Sequence, residues 1–523
     1  MHEKVLRGGI VVDGSGRERF RGDVAVSAGA IVAVGEGLRG DVEIDCGGHV
    51  VAPGFIDTHS HSDVAVLADP LLPMKLLQGI TLEVFGQDGI SVAPVKEDER
   101  PAMKQKLAGL LGDFGVAWDW SSVGEYLRRV SDARPAQDVA YLAPHGALRQ
   151  LVLGPDDRRP GALELGEMQK ALRQALGDGA CGMSTGLIYP PCCYADTAEL
   201  IALGEVLAQA DRPLVVHMRS ESDFMLDALA EMVLVAESAG CAVQVSHLKL
   251  AGRENWGRAE EVVAAFEEAR SRGLRLTADQ YPYVAGSTLL GAVLPPWAHD
   301  GGTAATLERL RDPEQRARLK AEMLDPAPAR WDNFWKWSGP EGIIVADVPS
   351  GRRPELAGKS LAAAFPGQDA VEAAFDLLLG EAMGVAMVSF SQSEEVVTRF
   401  LTLPFVNVCT DGLLGGRPHP RAYGTYPRVL GRYVREKGVL SLEEAVRKMT
   451  SQAAQAFGFQ NMGLVREGQR ANLVVFDPAT VADRATFESP RQFPVGVRDV
   501  LVAGEDAVRD GRPTGARPGA VVK

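Results

Sequence analysis

Hydrophobic and polar positions change rhythm twice along this chain. From residue 1 to about 53 they alternate in short bursts, Ile10-Val11-Val12, Val24-Ala25-Val26 and Ile31-Val32-Ala33-Val34, parted by glycine-rich turns such as Gly8-Gly9 and Gly14. That alternation predicts short antiparallel strands. From about 54 to 455, apolar runs of strand length alternate with amphipathic stretches at 226–239 and 258–272, the pattern of parallel strands with helical crossovers. Beyond 456 the first style returns, at 471–477 and 497–504. The chain thus divides at 1–53, 54–455 and 456–523.

One stretch breaks the central rhythm, at about 290–345. It opens on Leu294-Pro295-Pro296-Trp297, continues through charged helix-forming residues at 307–323, and ends in an aromatic cluster of Trp331, Phe334, Trp335 and Trp337. It is too long for a strand-to-helix loop. Following a strand, it is expected to stand over the mouth of the central unit. A packing module with its own tryptophan core and no part in chemistry is the alternative.

Several apolar runs end in metal-ligand residue types. The run 50–56 leads into Asp57-Thr58-His59-Ser60-His61, where His59 and His61 occupy i and i+2 and so point to one side of an extended strand. Runs at 214–216, 242–246 and 406–410 lead into His217, His247 and Asp411. In a (β/α)₈ barrel the C-terminal strand ends converge on one mouth, so residues far apart in sequence meet there. Four histidines and an aspartate at one mouth form a divalent-metal donor set. Taken singly, each histidine is equally explained as a core residue bonded to backbone.

Length and charge narrow the partners. A chain of 523 residues accommodates a barrel with additions, and 46% hydrophobic with 24% charged residues is a globular composition. A net charge of −14 disfavours nucleic acid and anionic membrane, and makes any Lys or Arg near the mouth significant for a small anionic substrate. No apolar run reaches the roughly 18 residues of a membrane span, and no secretory signal pattern opens the sequence. The six cysteines have no framework spacing and are expected to be reduced, which points to the cytoplasm. The oligomeric state is open.

The run Val51-Ala52-Pro53-Gly54-Phe55-Ile56-Asp57-Thr58-His59-Ser60-His61 resembles the first-strand motif of the metal-dependent amidohydrolase superfamily. Five further stretches resemble its D-aminoacylase branch, the N-acyl-D-amino-acid deacylases. They are Gly182-Met183-Ser184-Thr185-Gly186-Leu187-Ile188-Tyr189-Pro190, His217-Met218-Arg219-Ser220-Glu221, Ser246-His247-Leu248-Lys249, Tyr281-Pro282-Tyr283-Val284-Ala285-Gly286-Ser287-Thr288, and His419-Pro420-Arg421. The likeness runs over nearly the whole chain. It implies an α/β fold: a TIM-type (β/α)₈ barrel, a small β-sandwich formed by both termini, and an inserted subdomain over the barrel mouth. The implied activity is hydrolysis of N-acyl-D-amino acids to a carboxylate and a free D-amino acid. Preference for D over L rests on the resemblance alone. Another amidohydrolase activity, on a cyclic amide or a dipeptide, is the alternative reading. A non-catalytic descendant is disfavoured by the presence of His59, His61, His217, His247 and Asp411.

The resemblance also implies roles. Binuclear members bridge their metals with a fourth-strand lysine, but 179–186 has none. The branch uses instead a cysteine in an Asn-Cys-Gly turn, where this chain reads Gly86-Gln87-Asp88-Gly89. Asp88 is therefore expected as an oxygen ligand, with Glu83 as runner-up and a plain turn residue as the alternative. The harder carboxylate weakens the preference for zinc, the expected ion, over manganese, cobalt or iron. One or two ions are expected: a tighter site at Asp88, His217 and His247, and a second at His59, His61 and Asp411. Asp411 is the implied general base and acid. Arg421 is implied to hold the α-carboxylate, helped by Lys249, Tyr281 and Ser287, although the loop between Asp411 and His419 is one residue shorter than is usual in the branch. His145 and Asp63 are read as structural, and Tyr189 as a pocket wall.

Overall fold

The computed structural model describes residues 2–523. Eight parallel strands carry the central unit: β1 (Phe55–Asp57), β2 (Ile80–Phe85), β3 (Asp138–Tyr141, resuming at Ala143–Pro144), β4 (Met183–Gly186), β5 (Leu214–His217), β6 (Val243–Val245), β7 (Leu276–Gln280) and β8 (Val406–Val408). One sheet joins β1, β2 and β3; a second runs from the resumed β3 through β4, β5, β6 and β7 to β8. Every residue of β2, β4 and β5 is buried, as expected of parallel strands covered on both faces.

The crossover helices have identifiable start signals. Ser122 and Glu125 form a reciprocal capping box before the helix Val123–Ala133, and the Asp196 carboxylate accepts from Glu199 N at the start of Thr197–Gln209. The stretches anticipated at 226–239 and 258–272 are the helices Met225–Ala239 and Ala259–Ser271.

Past the ends of β1 and β8, an isolated parallel bridge joins Ser60 to Gly412, and Asp411 N donates to His59 O at 2.8 Å. Asp57 reinforces this seam, accepting from Thr410 N at 2.8 Å and from Thr410 Oγ1 at 2.6 Å. Lys75 sits beneath it, fully buried, with Nζ 2.8 Å from Asp57 Oδ2 and 2.9 Å from Glu83 Oε2. The C-terminal ends of the parallel strands therefore lie on one side, and the anticipated ligands follow from there.

Both termini enter one nine-stranded sheet, where Val50–Pro53 pairs antiparallel with Leu473–Phe476. Its period-two alternation sorts the side chains. Val51, Leu473 and Val475 pack in one core with Leu6 and Val24, while Val50, Ala52, Val474 and Phe476 pack in another with Tyr426 and Val429. This second core seats the sheet against the helices that follow β8.

The interruption is wider than 290–345. Strands Ala285–Leu289, Ile343–Asp347 and Ala386–Phe390 form an antiparallel sheet of their own, so the chain does not rejoin the parallel strands until Val406. The two later strands look in sequence like buried parallel strands, but they pair with each other, Ile344 opposite Val388, around a separate core that includes Phe334, Trp335 and Phe375. The charged stretch at 307–323 is two helices, Gly302–Arg311 and Pro313–Leu324, divided at Asp312, whose carboxylate caps the second.

Candidate active site

Six side chains converge at the C-terminal strand ends. His59 and His61 follow β1, Asp88 follows β2, His217 ends β5, His247 lies two residues beyond β6, and Asp411 three beyond β8. Three of them take left-handed backbone, with φ of 57° at Asp88, 36° at His247 and 48° at Asp411. Such conformations cost of order 1–3 kcal/mol each and persist where neighbours hold them. His247 N is held by Asp279 Oδ1 at 2.6 Å, and Asp411 N by His59 O. At Asp88 the neighbours are glycines: a Cβ on Gly186 would stand 2.3 Å from Asp88 O, so the loop lies directly on the end of β4.

The donor atoms form two groups that share Asp88. Around one, His59 Nε2 and His61 Nε2 each stand 3.5 Å from Asp88 Oδ2, and 3.6 and 3.3 Å from Asp411 Oδ1. Around the other, Asp88 Oδ1 is 3.8 Å from His217 Nδ1 and 3.6 Å from His247 Nε2. Asp88, expected at the tighter site, turns Oδ1 toward His217 and His247 and Oδ2 toward His59 and His61.

These spacings suit a cation. Ligand atoms bound at about 2.1 Å in a tetrahedron stand about 3.4 Å apart, matching the 3.3–3.6 Å of the first group. Both ring nitrogens of His59, Nδ1 of His61 and Oδ1 of Asp88 are buried without a hydrogen-bond partner. The electrostatics agree. Burial pushes Asp88 up, but His59 and the other imidazoles outweigh it and hold the carboxyl well below its ordinary range. Burial likewise disfavours a charged His61 or His247, yet nearby carboxylates raise them to about 9 and about 10. His217 goes the other way, to about 4, through burial. A divalent ion supplies the same compensation with every imidazole neutral.

Glu83, the runner-up ligand, stands outside these donor groups. Its carboxylate turns away to Lys75, Ser60 Oγ at 2.6 Å, Ser62 Oγ at 2.9 Å and Gln137 Nε2 at 3.1 Å. Asp63 is buried and structural, accepting from Gly86 N and Ser91 Oγ. His145 begins the helix after β3 and bonds Glu199 Oε1 at 2.7 Å, an orienting role.

A cationic wall faces the cluster. Arg421 is fully buried, its guanidinium 4.4 Å from the Tyr281 ring centroid, with Nη2 donating to Ser287 O at 3.0 Å. Nη1 lies 2.8 Å from Asp411 Oδ2 but out of hydrogen-bond line, so Nε and Nη1 both lack an aligned acceptor. Burial raises the Asp411 carboxyl, and Arg421 followed by His59 more than offsets this, keeping it well below the usual carboxylate range. Lys249 Nζ pairs with Glu221 Oε1 at 2.6 Å and lies 2.7 Å from His247 Nδ1. The Ser287 hydroxyl is taken by Met387 O, which leaves its backbone as the contributing group. Tyr281 Oη accepts from Gln392 Nε2 at 2.9 Å.

Glu221 and Asp332 were not singled out by sequence reasoning. Glu221 stands 3.6 Å from His217 Nε2 and 3.0 Å from His247 Nδ1, and its signal was the four-residue spacing from His217. Asp332 comes from the insertion and accepts from Ser220 Oγ, Ser222 Oγ and Glu221 N, latching the insertion onto the loop after β5. No local pattern marks it. Burial and the Glu221 charge push its carboxyl up to about 7.

The cavity at this cluster spans about 450 Å³, counting the space at its mouth, and is lined by Lys249, Tyr281, Ser287, Phe334 and Trp337 along with the metal-type residues. Three carboxylates, Asp88, Asp411 and Glu221, face two cations, Lys249 and Arg421. With neutral imidazoles the site is one negative charge in excess, and one divalent ion reverses that sign, which suits an anionic substrate.

Comparison with known proteins gives a consistent picture. A family model described as "Amidohydrolase family" matches residues 42–320 and 410–507. An N-acyl-D-glutamate deacylase of Alcaligenes xylosoxydans xylosoxydans is 36% identical, covering 100% of this chain and 97% of its own length. An N-acyl-D-aspartate deacylase of the same organism is 34% identical over 99% of this chain and 94% of its own. A crystal structure of N-acyl-D-glutamate deacylase from Bordetella bronchiseptica superposes with a TM-score of 0.83 at 34% identity, covering 100% of this chain and 99% of that one. It holds zinc and a phosphonate inhibitor described as mimicking the tetrahedral intermediate.

Proposed function

Because the chain belongs to the amidohydrolase family, we propose that it is a metal-dependent deacylase, hydrolysing the linear amide of N-acyl-D-amino acids to a carboxylate and a free D-amino acid. The observation that carries this reading is the meeting of the His59, His61, Asp88, His217, His247 and Asp411 donors with the buried, incompletely paired guanidinium of Arg421. A free carboxylate on the substrate answers the second feature. A cyclic imide has none, and the relatives named above act on linear N-acyl-D-amino acids, so the cyclic-amide alternative is not favoured.

The eight parallel strands are read as a closed (β/α)₈ barrel, with the Ser60–Gly412 bridge as its seam. The terminal segments 1–53 and 456–523 are read as one β-sandwich domain beside it, and the insertion as a cap over the mouth. The six unbridged cysteines suit a cytoplasmic setting.

The donor set fits zinc, with Asp88 shared between two sites; its carboxylate also suits manganese, cobalt or iron. A divalent ion held there lowers the pKa of water and polarises the amide carbonyl. The remaining work belongs to side chains of this chain. Asp411 takes the proton of the attacking water and returns it to the leaving nitrogen, a duty that requires an ionised carboxylate within hydrogen-bond reach. Arg421 receives the α-carboxylate on Nε and Nη1, with Tyr281 stacked beneath the guanidinium and Ser287 O fixing its far edge. Lys249, clamped by Glu221, adds positive charge beside His247.

The test is a substrate panel with zinc-loaded protein: N-acetyl-D-amino acids, their L enantiomers, a dihydropyrimidine and a dipeptide. Release of free amino acid from the D series alone is expected. Ring opening of the dihydropyrimidine, or dipeptide cleavage, with no D-series hydrolysis would overturn the reading.

A further inference from the structure

Arg421 does not hold its own direction. Its side chain is long and flexible, and the one aligned hydrogen bond at its far end runs from Nη2 to Ser287 O at 3.0 Å. Further support comes from His419, which the proposed chemistry leaves unused. Its imidazole is fully buried in the loop that leads into the helix Arg421–Arg428. Arg421 N, one of the backbone donors without a helical partner at a helix start, donates to His419 Nδ1 at 3.0 Å. On the other side of the ring, Nε2 donates to Ala285 O at 3.0 Å.

Those two partners fix the ring's protons. Arg421 N can only donate and Ala285 O can only accept, so Nδ1 is bare and Nε2 carries the hydrogen. Burial, followed by the Arg421 charge, holds His419 well below the ordinary imidazole range and keeps it neutral. The strand Ala285–Leu289 is therefore gripped twice, at Ala285 O by the imidazole and at Ser287 O by the guanidinium.

Two rings keep the imidazole in the plane that its bonds require. Tyr283 meets it at a right angle with centroids 5.2 Å apart, and Phe487 meets it edge-on at 4.9 Å. Phe487 arrives from the C-terminal part of the chain. Arg417 and Arg491 staple its segment to the loop after Asp411, with Arg417 Nη2 donating to Glu488 O and Arg491 Nη2 to Gly416 O at 2.7 Å.

We propose, resting on the deacylase reading above, that His419 is a positioning residue for the carboxylate anchor. Its imidazole ties the start of the Arg421 helix to the strand Ala285–Leu289 and so fixes the direction in which Arg421 presents Nε and Nη1. The preference for an anionic substrate over a neutral one then depends on His419, although His419 touches neither substrate nor metal.

The experiment compares kcat/KM of the zinc-loaded protein for N-acetyl-D-leucine and N-acetyl-D-leucinamide. His419→Leu, which removes both bonds, is expected to lower the acid-to-amide ratio about tenfold or more, the scale on which misplacing a holding group acts. The loss is expected in KM for the acid, at unchanged zinc content. His419→Asn, whose amide oxygen takes the place of Nδ1 in accepting from Arg421 N, is expected to recover most of the ratio. Equal losses on acid and amide, or no recovery in His419→Asn, would overturn the proposal and leave the deacylase reading standing. If His419→Leu does not fold, Phe487→Ala decides, since it removes one wall of the imidazole. It is expected to lower the same ratio, and an unchanged ratio would overturn the proposal. No hydrolysis of either compound by the unaltered protein would remove the deacylase reading and this inference together.

Discussion

Arg421 Nη1 stands 2.8 Å from Asp411 Oδ2, so the proposed substrate anchor and the proposed general base are in direct contact. The guanidinium is bent out of line with that carboxylate and keeps Nε and Nη1 without aligned acceptors. On the proposed reading, a substrate carboxylate at Arg421 would satisfy those donors and draw charge compensation away from Asp411, coupling binding to the basicity of Asp411 through one side chain.

Removing the base isolates its part. Asp411→Asn is expected to fold and to keep the ion at Asp88, His217 and His247, while kcat falls about 10²-fold or more, the scale of lost acid–base catalysis. Turnover close to that of the unaltered protein, at equal metal content, would take Asp411 out of the role.

The anchor is tested by a ratio. Arg421→Met should cost about 2 to 5 kcal/mol of transition-state binding for N-acyl-D-amino acids, because it leaves a carboxylate unpaired. It also strips Asp411 of its partner, a loss shared by every substrate. The matching amino-acid amides, lacking the charge, report that shared loss alone. Equal losses on acids and amides would show that Arg421 does not read the carboxylate.

Asp88 faces both donor groups, so Asp88→Ala should deplete both sites, read as metal ions per chain by elemental analysis. Asp88→Cys should recover zinc preferentially, since a thiolate is the softer ligand. Full occupancy in Asp88→Ala would reduce Asp88 to a turn residue.

A stability effect is expected away from the reacting atoms. Lys75→Met leaves Asp57 and Glu83 buried without their shared cation, a loss of about 3 to 5 kcal/mol for breaking a buried pair. Urea unfolding of metal-free protein checks it, and an unmoved midpoint would show that the two carboxylates are compensated elsewhere.

The donor residues legible in sequence are those that end apolar runs, because a parallel strand fixes both the burial of the run and the direction of its last side chain. His59, His61, His217, His247 and Asp411 all gave that signal. Asp88 did not: it sits in a left-handed turn whose shape depends on Gly86, Gly89 and the close approach of Gly186, and it was reached through a resemblance. Its sharing between two donor groups is a tertiary fact with no local trace. Nor has Asp332 one, since its partners are 110 to 112 residues away. The extent of the insertion was hidden for another reason. The strands at 343–347 and 386–390 have the composition of buried parallel strands, and only their mutual pairing reveals that they form an antiparallel sheet apart from the parallel one.

The most direct measurement is stereospecific assay of free amino acid released from matched N-acetyl-D- and N-acetyl-L-leucine, before chelation, after chelation, and after zinc is restored. Release of D-leucine alone, abolished by the chelator and recovered with zinc, is the expected result. Release that ignores the chelator, or that favours the L enantiomer, would contradict a metal-dependent deacylase of D-amino acids.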